Sequence, residues 1–240
     1  MNKLKINYHL KIKDKTFPFL LLLHGWGVDS SYMECFLEVK DYNFLVIDLP
    51  GFGKSDIDRP YDIPSYVNDI HELLLELEIS YFVGLGHSFG GKILYYYSLT
   101  YPCEVLKLYL IAPSLFMKKS FKTKKKIFFY HLYKKLHIKI PSSLRGSYDY
   151  QKASEVMKKT LSNVTRVLTN KNNLKEFNIE VYLFAFNKDK EVPFKVLKKV
   201  SSYLPLCHFY LLNGNHFSYF AHLRFIKAML ENCYDNIWKS

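Results

Sequence analysis

Apolar residues in this chain gather in short unbroken runs, each closed by turn-forming residues. They are "FPFLLLL" (17–23), "NFLVIDL" (43–49), "YFVGLG" (81–86), "LKLYLIA" (106–112), "VYLFAF" (181–186) and "HFYLLN" (208–213). Continuous rather than alternating apolarity predicts strands covered on both faces, as in a parallel sheet. Helical spacing fills the gaps. In "IPSYVNDIHELLLELEI" (63–79), Val67, Ile70, Leu74 and Leu77 fall on one side, and residues 88–100 and 217–230 read as further helices. Strands alternating with helices predict an α/β fold, with "LKINYHLKI" (4–12) pairing antiparallel at the start.

The alternation stops between about Ser114 and Ile179, where no strand of the parallel type is evident. Residues 120–136 set Phe121, Phe128, Leu132 and Leu136 against a lysine-rich face, and 147–168 reads as another helix or pair of helices. The expected division is therefore a core of 1–113 and 180–240 with a helical cap or lid, 114–179, inserted after the strand near 106–112. An insertion there lies over the C-terminal edge of the sheet, where open α/β sheets bind ligands.

Composition narrows the class. With 240 residues, 49% of them apolar and 17% aromatic, the chain can bury a substantial core. Cys35, Cys103, Cys207 and Cys233 are scattered without metal-ligand spacing, which suits reduced thiols in a cytoplasmic protein. The run Phe17–Leu23 is too short to span a membrane and leads into "HGWG" with no small-residue cleavage site, so it reads as a strand rather than a signal peptide. The net charge of +12 raises nucleic acid as a partner. It is almost all lysine, without helix-turn-helix, zinc-finger or aromatic-basic signatures, and nucleic-acid binding is set aside.

The chemistry gathers around "GLGHSFGGK" (84–92), which holds four of the chain's ten glycines. Gly86-x-Ser88-x-Gly90 is the spacing of a tight strand-to-helix turn that presents a serine hydroxyl at its apex. A serine needs a base to take its proton, and the base needs orienting. Among nine histidines, His216 in "LLNGNHF" is the one on a loop directly behind the last strand. Asp189 in "AFNKDKEVP" follows the preceding strand, with Glu191 as a nearby competitor. Chain order is then Ser88, Asp189, His216. Donors for a developing oxyanion would be the backbone N–H groups of Phe89 and of Trp26, the latter on the loop after the strand ending in "HGWG".

"HGWG", "DLPGFGKSD" (48–56), "GHSFGG" and "NKDKEVP…GNHF" together resemble the α/β-hydrolase superfamily over nearly the whole chain. "HGWG" with "DLPGFGKS" is similar to carboxylesterases of the pimeloyl-carrier-protein methyl ester esterase type, and the middle and C-terminal segments to uncharacterised bacterial hydrolases of the superfamily. The resemblance implies Ser88 as nucleophile, His216 as base, Asp189 as acid, and Trp26 and Phe89 as oxyanion donors, with His24, Gly25 and His87 lining the substrate site. It implies no metal or other cofactor. The glycine usual three residues before the acid is Phe186 here, a departure that does not touch the chemistry. The implied reaction is hydrolysis of a carboxylic ester or thioester through an acyl-enzyme at Ser88. Haloalkane dehalogenases and epoxide hydrolases of this superfamily carry aspartate at that position. The alternatives are an ester linked to an acyl carrier protein in biotin-type synthesis, a C–C bond hydrolase or lyase, and a non-catalytic receptor on the same fold.

From Leu115 to Tyr148 there are nine lysines, Arg145 and no acidic residue, a local +10 in a chain of net +12. Such a stretch attracts either an acidic acyl carrier protein or an anionic surface. Salt screens exposed charges beyond about 8–10 Å at physiological strength. Turnover of a carrier-protein ester should therefore fall steeply with added salt, while that of a small neutral ester barely changes. Replacing Lys124, Lys125 and Lys126 by glutamine should flatten that slope. Equal salt dependence for both substrates would leave the lysines as mere solvation of helix surfaces.

Overall fold

The computed structural model describes residues 5–115, Tyr133 and 153–238. Seven strands form a single sheet: β1 (Tyr8–Lys11), β2 (Phe19–Leu23), β3 (Asn43–Ile47), β4 (Phe82–His87), β5 (Val105–Ile111), β6 (Glu180–Phe186) and β7 (Cys207–Leu212). Their order across the sheet is β1-β3-β2-β4-β5-β6-β7, with β1 antiparallel to β3 and every other pairing parallel. Each strand predicted from an apolar run is present, and the N-terminal segment pairs antiparallel as expected.

The run Leu20–Leu23 shows why these segments are apolar at every position. Leu21 and Leu23 enter a core shared with α1 (Ile63–Glu76) and α2 (Phe89–Thr100). Leu20 and Leu22 enter a second core, on the other face, with Met33 and Phe36 of a 3-10 turn (Ser30–Phe36) and with Ile226 and Leu230. Those last two belong to the C-terminal helix, Leu223–Trp238, which begins after a further 3-10 turn (Ser218–His222). The single helix expected over 217–230 is thus a tight turn followed by a longer helix. α1 starts where the sequence supplies a cap: the Asp62 carboxylate accepts the Ser65 N–H at 2.9 Å, and Pro64 sits in the first turn, where its missing N–H costs nothing.

Between β5 and β6 the described residues form α3 (Glu155–Arg166) and α4 (Lys171–Lys175). The helix expected over 120–136 (Tyr133 apart) and the first part of that expected over 147–168 lie outside the described residues. α3 is tied to the core by side chains. The Tyr61 N–H donates to Thr160 Oγ1 at 3.0 Å and Asn163 Nδ2 donates to the Tyr61 carbonyl at 3.1 Å. The Thr169 hydroxyl donates to the Leu115 carbonyl at 2.9 Å. The helix between β6 and β7, α5 (Phe194–Ser201), buries Leu197 and Val200 in the first core; the Leu223–Trp238 helix is α6.

Lys92 makes the least expected of these ties. It lies on the buried face of α2, 3% exposed, among Ile93, Leu94 and Tyr95. Its Nζ donates to the carbonyls of Val164 and Val167, both at 2.7 Å. These are carbonyls at the C-terminal end of α3, which lack partners within the helix and carry its partial negative charge. Burial nonetheless pushes the Lys92 pKa down to about 8 from the ordinary 10.5. Between those two values the unfolded chain holds the proton and the folded one does not, so unfolding free energy from this group rises with pH. Wild type should gain stability relative to Lys92→Met as pH goes from about 7.5 to about 10. Urea unfolding of both proteins at the two pH values reads this directly, and a flat difference would mean that Lys92 keeps its ordinary proton affinity.

Candidate active site

Strands β2 to β7 are parallel to one another, so their C-terminal ends share one edge, and the candidate residues follow β2, β4, β6 and β7 there. Ser88 stands between β4 and α2 with φ 51° and ψ −104°. A non-glycine residue in that region costs on the order of 1–3 kcal/mol and persists where its surroundings hold it. Here they do. Its N–H donates to the Ile111 carbonyl at 2.8 Å, and its carbonyl accepts the N–H groups of Lys92 (3.1 Å) and Ser114 (3.0 Å). Ser88 occupies the N-cap position of α2 without making a side-chain cap bond, unlike Asp62 on α1 and Ser154 on α3. Its hydroxyl is therefore not consumed by the helix it starts.

The turn is possible only because two positions lack a side chain. A Cβ on Gly90 would stand 2.3 Å from the Leu23 carbonyl oxygen and 2.6 Å from that of His24, and one on Gly86 would stand 2.6 Å from the Gly91 nitrogen. All these obstacles are backbone. The first turn of α2 is thereby pressed onto the end of β2, which brings Gly25 beside Ser88: a Cβ on Gly25 would lie 3.5 Å from that of Ser88. Trp26 follows, half-buried, its ring edge-on to Phe52 and Phe89 at 4.9 and 5.3 Å. The Phe89 N–H belongs to the first turn of α2, where backbone donors have no partner in the helix and the helix dipole is positive.

His216 and Asp189 meet. The His216 ring, bonded through Nδ1, lies 2.7 Å from Asp189 Oδ2, and the Asp189 side chain is fully buried. Its other oxygen, Oδ1, accepts the N–H groups of Glu191 (2.8 Å) and Val192 (2.9 Å). With Oδ1 occupied by two donors, Oδ2 is left facing the imidazole. The competing acid Glu191 is exposed and contributes only its backbone N–H to this arrangement.

His24 and His87, expected to line the substrate site, are both turned into the interior. His24 is 0% exposed, its Nδ1 bonded to the Gly25 carbonyl at 2.7 Å and its Nε2 accepting the Leu49 N–H at 3.0 Å. It pins the end of β2 to the end of β3 and has no surface to offer a substrate. His87 is 1% exposed and donates from Nε2 to the His216 carbonyl at 3.0 Å. Its ring lies under that of His216, centroids 4.8 Å apart. Burial, and then the neighbouring His216, push the His87 pKa down to about 3, so it is neutral at any working pH. Its place is that of a support for the His216 loop.

Two further residues escaped the sequence reading. Asp48, 3% exposed, accepts from Asn7 Nδ2, the Ser30 N–H and the Lys54 N–H, at 2.8 to 2.9 Å. It ties three loop segments together below the β2 end. Burial works to raise its pKa, but these donors outweigh burial and hold it below the ordinary value. Tyr219, fully buried, packs between Phe36 and His87 and donates its hydroxyl to the Tyr32 carbonyl at 3.0 Å, anchoring the loop that carries His216. A buried acid beside "PGFG" and an aromatic three residues past the loop histidine are the signals that could have found them.

Comparison with known proteins agrees with this architecture. The α/β hydrolase fold family matches residues 18–220. The chain belongs to that family. A pimeloyl-[acyl-carrier protein] methyl ester esterase from Pseudoalteromonas atlantica is 33% identical over 113 residues, covering 44% of this chain and 42% of the relative. Epoxide hydrolase 4 of Mus musculus is 26% identical over 212 residues, 84% of this chain and 58% of the relative. The aligned stretches thus span about half the length of these relatives. Among solved structures, a hydrolase from Pseudomonas aeruginosa superposes with a TM-score of 0.75 at 18% identity, covering 95% of this chain and 93% of the other. No helix among the described residues of this α/β-hydrolase is long and apolar enough to cross a membrane.

Because a Cβ at Gly90 meets only backbone, Gly90→Ala should destabilise the protein by at least about 2 kcal/mol, as forced overpacking does. Urea unfolding checks it. A loss below about 0.5 kcal/mol would mean that α2 and β2 have slack between them.

Proposed function

We propose that this α/β-hydrolase is a serine hydrolase that cleaves a carboxylic ester, or a thioester, through an acyl-enzyme on Ser88. The observation that carries the reading is Ser88 itself. It is held in a strained turn with its hydroxyl unused by the helix, on the sheet edge where the buried His216–Asp189 pair closes.

In the proposed reaction His216 Nε2 takes the Ser88 proton as Oγ attacks the carbonyl carbon. Asp189 holds the His216 Nδ1–H and stabilises the imidazolium that forms. Negative charge on the carbonyl oxygen is met by the Phe89 and Trp26 N–H groups. Collapse breaks the bond to the alcohol oxygen, which leaves with the proton from His216. Water then repeats the sequence on the acyl-enzyme and releases the acid. A serine at the turn supports ester cleavage over epoxide opening, which relies on a carboxylate nucleophile at that position. Residues 114–179 are proposed as a cap over this edge, a cytoplasmic location fits the free thiols of Cys35, Cys103 and Cys207, and a small-molecule ester is the proposed substrate. The similarity to an acyl-carrier-protein ester esterase, together with the lysines of the cap, makes a carrier-linked ester the second substrate to test.

Ser88→Ala and His216→Ala should each lower kcat by on the order of 10⁵–10⁶, with the double variant little worse, because the two act as a unit. Asp189→Asn should cost roughly 10⁴ and Glu191→Gln less than about twofold. Steady-state kinetics on a panel of esters of graded acyl length, with fluorophosphonate labelling of Ser88, tests the set. A Ser88→Ala protein retaining a tenth of wild-type turnover would refute the reading.

A further inference from the structure

Three large aromatic side chains stay exposed beside His216: Tyr32 (39%), Phe217 (40%) and Phe220 (43%). They are one patch. Tyr32 lies 6.2 Å from Phe217 and 6.0 Å from Phe220, centroid to centroid. Phe217 stands edge-on to the His216 ring, 5.5 Å away at 86°, and 5.2 Å from His87. The patch is also built to stay in place. Phe220 stacks on buried Tyr219 at 4.2 Å, Tyr219 holds the Tyr32 carbonyl, and the Phe217 N–H donates to Asn215 Oδ1 at 3.1 Å. Isolated exposed aromatics need no explanation, whereas a fixed cluster against a functional residue does.

Resting on the serine-hydrolase reading, we infer that Tyr32, Phe217 and Phe220 form a platform for the leaving-group arm of the substrate, selecting esters of apolar, preferably aromatic, alcohols. Proton delivery decides which arm. The leaving oxygen must come within hydrogen-bond reach of His216 to receive its proton, so the substituent on that oxygen runs out along whatever abuts the imidazole. Phe217 abuts it, and Tyr32 and Phe220 continue the surface outward. The proposed oxyanion donors belong elsewhere. Trp26 packs with Phe52 and Phe89 on the core of one face of the sheet, while Tyr219, which anchors the platform, belongs to the core of the other. Acyl and alcohol arms therefore meet different walls.

The test compares two ester series on wild type and on the double variant Tyr32→Ala/Phe220→Ala, which leaves Phe217 and the His216 contact in place. One series holds the acyl group as acetyl and varies the alcohol from methyl to butyl to benzyl. The other holds methanol and varies the acid from acetyl to hexanoyl to phenylacetyl. Removing two of three aromatic contacts should lower the benzyl-to-methyl ratio of kcat/KM about tenfold, the size expected for lost aromatic contacts. The acyl ratios should move less than about twofold. Labelling of the double variant by a fluorophosphonate at the wild-type level shows that its site is intact. If the double variant fails to label, Phe220→Gln alone should still lower the benzyl ratio about threefold. A labelled variant in which both ratios fall together, the acyl ratio alone falls, or neither moves overturns the platform while leaving the hydrolase reading standing. A wild type that neither labels nor cleaves any ester overturns both.

Discussion

The close approach of α2 to the end of β2 is the contact on which the site depends. With no Cβ on Gly90, the first turn of the helix rests within van der Waals reach of the Leu23 and His24 carbonyls. Ser88 can then complete a strand-to-helix turn too sharp for an ordinary backbone, and its strained φ is fixed by bonds from Ile111, Lys92 and Ser114. The same approach sets Gly25 against Ser88. If α2 stood an ångström further off, the strained turn at Ser88 would have room to relax.

The other half of the site has to be carried there. Asp189 and His216 come from β6 and β7, two and three strands away from β4 across the sheet. Two buried contacts draw the His216 loop back: the His87 bond to the His216 carbonyl, and Tyr219 wedged between Phe36 and His87 with its hydroxyl on Tyr32. Burial drives the His87 pKa down to about 3, so the ring beside His216 is neutral. A charged His87 would repel the imidazolium that the proposed mechanism requires on His216.

Polar groups in the interior work as fasteners in this protein. Asp48 gathers three loop segments, and Lys92 holds the carbonyl end of α3 to the helix that follows the proposed nucleophile. Buried ionic groups of this kind specify one arrangement at some cost in stability, since each must be desolvated. Lys92 joins the segment between β5 and β6 to the helix on which the Ser88 turn depends, so the placement of α3 and the geometry of the turn are linked through one side chain.

What the sequence by itself determined was whatever depends on local pattern. Continuous apolar runs required strands covered on both faces, and the Gly-x-Ser-x-Gly spacing required a tight turn with serine at its apex. Chain order placed an acid and a histidine behind the last two strands. Strand type and motif position are legible because they follow from neighbouring residues alone. The resemblance already pointed to Asp189 over Glu191, and the fold adds the physical difference, since the two differ in burial rather than in kind. His24 and His87 look like site residues by adjacency, yet a parallel sheet turns them inward, where hydrogen bonds to Leu49 and to the His216 carbonyl occupy them. Lys92, read as one more lysine on a basic chain, becomes a buried clamp only because α3 packs over it. Tyr32 and Phe220 are nearly 190 residues apart, and only the anchoring of the His216 loop by Tyr219 makes them one surface.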